Sequence, residues 1–113
     1  MMESFIAYLI GKIEEGKAET ASLLADGRKD DADFAKVRTN IYDVCRTVSQ
    51  VLINQPGAGT KAIRAQLERF RTEWGIALEK AKQHDNISGI AVEETKLAAL
   101  EDIIAHFREA SEA

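Results

Sequence analysis

The sequence has little of several residue types that define whole classes of protein. It contains one cysteine and one proline among 113 residues, and 6% of the residues are aromatic. A single cysteine excludes an internal disulfide, and so little proline excludes a collagen-like or proline-rich chain. No apolar run is long enough to span a bilayer, and the first residues lack the basic segment of a secretory signal. The sequence therefore predicts neither a membrane span nor export.

The residues that are present indicate one folded domain covering residues 1–113. Hydrophobic residues make up 45% of the chain, charged residues 30%, and the formal net charge is −4. A chain of this length buries enough apolar surface to fold without a metal or a disulfide. Cys45 lies inside the apolar segment 41–52 and is expected to pack as a small core residue. A lone thiol of this kind is typical of a reducing compartment, so the expected location is the cytoplasm.

Three clusters of turn-forming residues divide the chain into four segments, each with helical character. The clusters lie at residues 26–31, 54–59 and 84–89. The predicted helices span residues 3–26, 31–54, 60–84 and 90–110. Short connections favour antiparallel neighbours, so the sequence predicts an all-α, four-helix antiparallel bundle with up-down-up-down order. Gly11 and Gly16 weaken the first helix, which makes a bend near Gly16 plausible.

Apolar residues recur at helical spacing in every segment. In the first segment they are Phe5, Ile6, Leu9, Ile10, Ile13, Leu23 and Leu24. In the second they are Phe34, Val37, Ile41, Val44, Val48 and Val51. In the third they are Ile63, Leu67, Phe70, Trp74, Ala77 and Ala81, and in the fourth Leu97, Leu100, Ile103, Ile104 and Phe107. No alternation of period two is long enough to predict a sheet.

A row of basic residues on the third helix is a candidate surface for contact with a partner. Acidic first and last segments flank a basic middle, and Arg64, Arg71 and Lys82 lie on one side of the third helix. The row could meet an acidic partner, or it could pair with the acidic fourth helix of the same chain. It has no exposed aromatic for base stacking, and the chain is acidic overall. We therefore expect no nucleic-acid binding.

A glycine-containing loop at residues 57–61 has a superficial likeness to a phosphate-binding loop. The phosphate loop requires a Gly-Lys-Ser/Thr triplet after a strand, whereas here Thr60 precedes Lys61 and a helix precedes the loop. The segment is better explained as a connector between helices, with Thr60 as the N-cap of the third helix. We therefore expect no nucleotide cofactor.

The candidate catalytic residues do not form a complete set. Asp102 and His106 are four residues apart on one helix, so the carboxylate could orient the imidazole. Neither a nucleophile nor further metal ligands accompany them, because His84 is predicted at a distant position and Cys45 is the single cysteine. A surface ion pair is the simpler interpretation. The sequence predicts no enzyme, no metal and no cofactor.

Two rows of small or polar residues are candidates for self-association. Ala7 and Gly11 belong to a row of small residues on the first helix, where a partner helix could approach closely. Asn40 belongs to a polar row that recurs every seven residues on the second helix, as in helices whose polar residues fix the register of a coiled coil. The alternative is that both rows face solvent.

Two functional hypotheses follow from these features. The first is a non-enzymatic module that acts through contact with another protein or, as a homodimer, with a second copy of itself. The second is a bundle that binds a small apolar or anionic ligand near Phe70 and Trp74, where Gly75 beside the indole leaves room. Both hypotheses require a surface or cavity that the spacing of residues alone does not define.

Overall fold

The computed structural model describes residues 2–57 and 59–112. Within these residues the protein consists of four helices and has no strand. The helices are α1 (Met2–Ala25), α2 (Lys29–Ile53), α3 (Gly59–Gln83) and α4 (Ile87–Glu112). The predicted all-α bundle is confirmed. Helix α1 is continuous through both of its central glycines, and a bend in it stays a prediction.

The turns after α1 and α3 have the same hydrogen-bonding pattern. After α1, Arg28 N–H donates to the Leu23 carbonyl at 2.9 Å, and Gly27 has a φ of 73°. After α3, Asn86 N–H donates to the carbonyl of Ala81 at 2.9 Å, and Asp85 has a φ of 51°. A left-handed residue just past a helix end is the usual way to satisfy the last carbonyls. Each turn reverses the chain and allows the flanking helices to pack as a hairpin.

All four helices begin one to three residues before their predicted starts, and the starts of α3 and α4 change the assignment of the caps. Helix α4 begins at Ile87, before the predicted start at residue 90, because Asn86 Oδ1 accepts a hydrogen bond from Gly89 N–H at 3.0 Å and caps the first turn. Helix α3 begins at Gly59, so Thr60 lies inside the helix and is not its N-cap. Residue 58, part of the loop considered above, lies outside the described residues.

Helices α1 and α2 form a tightly packed antiparallel hairpin. A Cβ atom placed on Gly16 would lie 2.0 Å from Thr39 Oγ1, so the two helices approach closely only because residue 16 is glycine. The Thr39 hydroxyl donates to the main-chain oxygen of Ala35 at 2.7 Å and is thereby satisfied within its own helix. An ion pair of 2.7 Å between Arg38 and Glu19 joins the same two helices at the surface.

Helices α3 and α4 form the second antiparallel hairpin. Arg71 of α3 forms an ion pair of 2.7 Å with Glu101 of α4. Farther along, the Lys96 ammonium lies 5.0 Å from the centre of the Trp74 ring. Because residue numbers rise along α3 as they fall along α4, the two helices run in opposite directions.

The two hairpins share a core near the N-terminal end of α1 and the C-terminal end of α4. There the rings of Phe5 and Phe107 meet edge to face, with centroids 5.3 Å apart. On α3 the fully buried residues are Ile63 and Leu67, both near its start. The molecule measures 44 × 35 × 22 Å, whereas two helices side by side span roughly 20 Å. The hairpins are therefore not aligned side by side over their whole length.

The buried face of α2 differs from the valine-rich face seen in the sequence. Val37, Val44 and Val48 are half-buried, and Val51 is 55% exposed. The buried residues are Ala32, Ala35, Ile41, Tyr42, Cys45 and Ser49. The physical reason is that α2 packs against α1, α3 and α4, and its contact with α1 requires small side chains.

Candidate functional site

A groove with a volume of about 740 Å³ runs along the surface of the first hairpin. Its apolar lining comes from α1, mainly Ile10, Ala21 and Leu24, and its polar wall comes from α2. We call it the α1–α2 groove. Both walls belong to one hairpin, in which α1 and α2 approach closely at Gly16 and Thr39.

The groove exists because α1 has more apolar residues than the bundle buries. Phe5 and Leu9 face the core and are almost completely buried. Ile10 and Leu24 point to the other side of α1 and remain 43% and 46% exposed. Large apolar side chains that line one continuous surface are typical of an interaction site, whereas scattered ones are common on any protein.

The two charged side chains on the α1 wall of the groove form no ion pair with any described residue. In the part of the chain that the structure describes, neither Glu14 nor Lys17 takes part in an ion pair. Nearby charges do pair, as Lys12 does with Glu15 at 3.6 Å. The α1 wall of the groove therefore presents an acid and a base, each without an ion pair among the described residues, beside apolar surface.

The residues predicted for self-association lie in and next to this groove. Asn40 is exposed and forms part of the α2 wall. Ala7 and Gly11 are exposed on α1, and a Cβ atom on Gly11 would meet nothing within 4 Å. The structure thus brings Asn40 to the same surface as Ile10, while the two small residues flank the cavity without lining it.

The basic row of α3 interacts largely with its own chain. Arg71 pairs with Glu101 at 2.7 Å and with Glu68 at 3.7 Å. The guanidinium of Arg64 lies 5.8 Å from the centre of the Phe107 ring. Lys82 lies 3.6 Å from Glu79. The acidic fourth helix supplies part of this pairing through Glu101, as the second interpretation of the row expected.

The side chains of Phe70 and Trp74 pack against each other. Their rings are stacked with centroids 4.8 Å apart and an interplanar angle of 7°. Lys96 lies against the indole, and its ammonium is 3.3 Å from Glu93 Oε2. These contacts occupy the surface where the sequence suggested a ligand.

A cluster of polar side chains joins three helices beside the shared core. The hydroxyl of Tyr42 on α2 donates to Asp102 Oδ2 on α4 at 2.6 Å, and the hydroxyl of Tyr8 on α1 donates to the same oxygen. His106 stacks on Tyr8 with ring centroids 3.8 Å apart. We call Tyr8, Tyr42 and Asp102 the tyrosine–aspartate clamp.

The electrostatics of the clamp suit a structural role. Burial, together with hydrogen bonding to Asp102, raises the pKa of both phenols well above the ordinary tyrosine range. Burial also acts to raise the pKa of Asp102, but the hydrogen bonds from Tyr42 and Tyr8, together with the nearby cationic groups of His106 and Lys12, hold that pKa below its ordinary value. At neutral pH the phenols stay protonated and the carboxylate stays charged. Groups whose pKa values lie this far from neutral pH are poorly suited to transferring a proton.

Cys45 is equally unsuited to chemistry. Its side chain is completely buried, and burial raises the pKa of the thiol to about 12. The thiolate is the nucleophilic form, so a buried thiol of this kind is inert.

The sequence reasoning paired Asp102 with His106 but missed the two tyrosines. Tyr8 and Tyr42 are the two tyrosines of the chain. A phenol beside an apolar stripe has to place its hydroxyl against a polar partner, and this signal was available in the sequence. The residue that each hydroxyl would reach depends on how three helices pack together.

Comparison of the chain with protein-family models, with curated proteins and with solved structures finds no match. Among the described residues, no helix combines the length and the apolar character needed to cross a bilayer. Residues 2–57 and 59–112 also contain no group of three or more His, Cys, Asp or Glu side chains placed to hold a metal ion.

Proposed function

We propose that the chain is a non-enzymatic protein–protein interaction module that associates with a second copy of itself through the α1–α2 groove. The observation that carries this proposal is the pair of large apolar side chains, Ile10 and Leu24, left about half exposed in one continuous groove. Burying apolar surface against a partner is favourable by about 25 cal/mol per Å². Association is the simplest way for the chain to remove this surface from water.

The groove extends along several turns of α1, which is the length of a docked helix. From Ile10 to Leu24 the axis of α1 is about 21 Å long, which is close to four helical turns. An amphipathic helix laid in an apolar groove is a common mode of protein recognition. A second copy of the chain offers such helices, so the protein can act as its own partner.

The remaining features of the chain agree with this role. The stacking of Phe70 on Trp74 covers one face of each ring, which disfavours the alternative of a small ligand bound between those rings. A buried, single thiol suits a reducing compartment, and the cytoplasm is the location we propose.

A matched pair of variants tests the proposal. Leu24→Glu and Val51→Glu each place a carboxylate at an exposed apolar position, at 46% and 55% exposure, but only Leu24 lines the groove. We expect Leu24→Glu to shift the mass measured by light scattering to that of one chain, while Val51→Glu keeps the mass of the unchanged chain. Asn40→Leu and Ala7→Glu should also alter the oligomeric state. Equal masses for Leu24→Glu, Val51→Glu and the unchanged chain would contradict the proposal.

A further inference from the structure

We infer that the element docked in the groove is α1 of the second copy, lying antiparallel to the first α1. This inference rests on the proposed function and adds the orientation, the register and the contacts of the association. It concerns a line of exposed residues that we call the α1 stripe. The α1 stripe consists of Ala7, Ile10, Glu14, Lys17, Ala21 and Leu24.

The residues of the α1 stripe have the spacing of contact residues in a pair of packed helices. Its members alternate three and four residues apart, which keeps them within an arc of about 100° on the helix. The same alternation defines the seam of a coiled coil. All six residues are exposed, so the whole α1 stripe, about 26 Å long, is accessible to a partner in the single chain.

An antiparallel twofold pairing matches large residues to small ones along this seam. In such a pair the facing positions are symmetric about a central point, which for the stripe lies between residues 15 and 16. Ala7 then faces Leu24 of the second copy, and Ile10 faces Ala21 of the second copy. Large side chains opposite alanines fill the space between two helices without overlap. Because the pairing is symmetric, each contact occurs twice and the dimer is closed.

The charges of the stripe select the antiparallel orientation. At its centre Glu14 faces Lys17 of the second copy, and Lys17 faces Glu14 of the second copy. A parallel pair would instead place Glu14 against Glu14 and Lys17 against Lys17, which is repulsive. Since neither residue has an ion pair among the described residues of its own chain, both are available to the partner.

The first hairpin holds the stripe in position for this contact. Gly16 is buried against Thr39 of α2, so this contact holds α1 close to α2 while the residues of the stripe stay exposed. Asn40 and Lys36 of α2 form the other wall of the groove. An incoming α1 therefore contacts both helices of the hairpin, and little rearrangement is needed on binding.

Cross-linking between engineered cysteines tests the orientation directly. One sample contains Ile10→Cys, a second contains Ala21→Cys, and a third is a mixture of the two. In the antiparallel pair residue 10 faces residue 21, whereas two copies of residue 10 are about 16 Å apart along the seam. We expect a covalent dimer with a short thiol-to-thiol reagent in the mixture and little in either variant alone. Cys45 is buried and does not compete.

Charge reversal tests the central pair independently. Glu14→Lys and Lys17→Glu should each raise the dissociation constant of the dimer by about tenfold, and the double variant should restore it. Lys80→Glu, at an exposed position of α3, is the control and should leave the constant unchanged.

The outcomes separate the inference from the function on which it rests. Cross-linking of Ile10→Cys with itself would show a parallel pair and overturn the inference. A dimer that gives no cross-link in the mixture and ignores both charge reversals would overturn the inference while leaving self-association in place. A chain that is monomeric at every concentration would overturn both.

Discussion

The hydroxyl of Tyr42 donates a hydrogen bond of 2.6 Å to Asp102 Oδ2, and this contact joins α2 to α4 across sixty residues of sequence. Tyr8 adds α1 through the same carboxylate oxygen. The side chain of Asp102 is still 44% exposed, so solvent screens part of the interaction. The clamp therefore helps to set the relative orientation of α1, α2 and α4, whereas the apolar core stabilises their packing.

The clamp predicts how stability depends on pH. The pKa of Asp102 is lowered in the fold, so its contribution is present above the unfolded pKa of about 4 and is lost as pH falls through the lower folded value. The pKa values of both tyrosines are raised, so their contribution is present below about pH 10 and is lost as pH rises above it. We expect the urea concentration at the midpoint of unfolding to be constant between about pH 4 and about pH 10, and to fall below and above this range.

Two observations check this assignment. Asp102→Asn should flatten the acid side of the profile, and Tyr42→Phe should lower stability at neutral pH by about 1 kcal/mol and weaken the alkaline fall. Because both tyrosines of the chain belong to the clamp, tyrosinate absorbance should rise only as the helices unfold. A normal titration near pH 10 with intact helical circular dichroism would show that the clamp is absent.

The contact between Gly16 and Thr39 predicts opposite effects for two glycine substitutions. Gly16→Ala should lower the free energy of unfolding by about 1–3 kcal/mol, because its Cβ would lie 2.0 Å from Thr39 Oγ1. Gly75→Ala on α3 meets nothing within 4 Å and should raise it by about 0.5–1 kcal/mol through helix propensity. Urea unfolding of both variants measures the difference. If Gly16→Ala were as stable as Gly75→Ala, the close approach of α1 and α2 would be wrong.

The turn after α3 predicts a stabilising substitution. Asp85 has the left-handed conformation that Gly27 has in the equivalent turn after α1. Asp85→Gly should therefore raise the free energy of unfolding by about 0.5–1 kcal/mol, and Gly27→Asp should lower it by a similar amount. Thermal unfolding of the two variants checks this, and a loss of stability in Asp85→Gly would contradict it.

Much of the fold follows from local features of the sequence. The apolar spacing of α3 and α4 identifies Ile63, Leu67 and Phe107 as core residues, and all three are buried. The buried face of α2 could not be predicted in the same way. Its valines suggest one face, but contact with three other helices turns small residues such as Ala35 inward. Spacing identifies a helix, whereas the neighbours decide which side is buried.

The candidate site was only partly visible in the sequence. Asn40 was singled out from a seven-residue repeat and lies in the groove. Ile10 and Leu24 were grouped with the core residues of α1, because an apolar residue looks the same in sequence whether it faces the core or the surface. That distinction depends on how far apart the helices lie, which the pattern of one helix does not contain.

Self-association is checked most simply by the mass of the unchanged chain, measured by size-exclusion chromatography with light scattering in low and in high salt. We expect a mass twice that of the single 12.5 kDa chain in both conditions, because apolar burial at Ile10 and Leu24 is not screened by salt. A single-chain mass in both conditions would show that the groove remains open, and would contradict self-association.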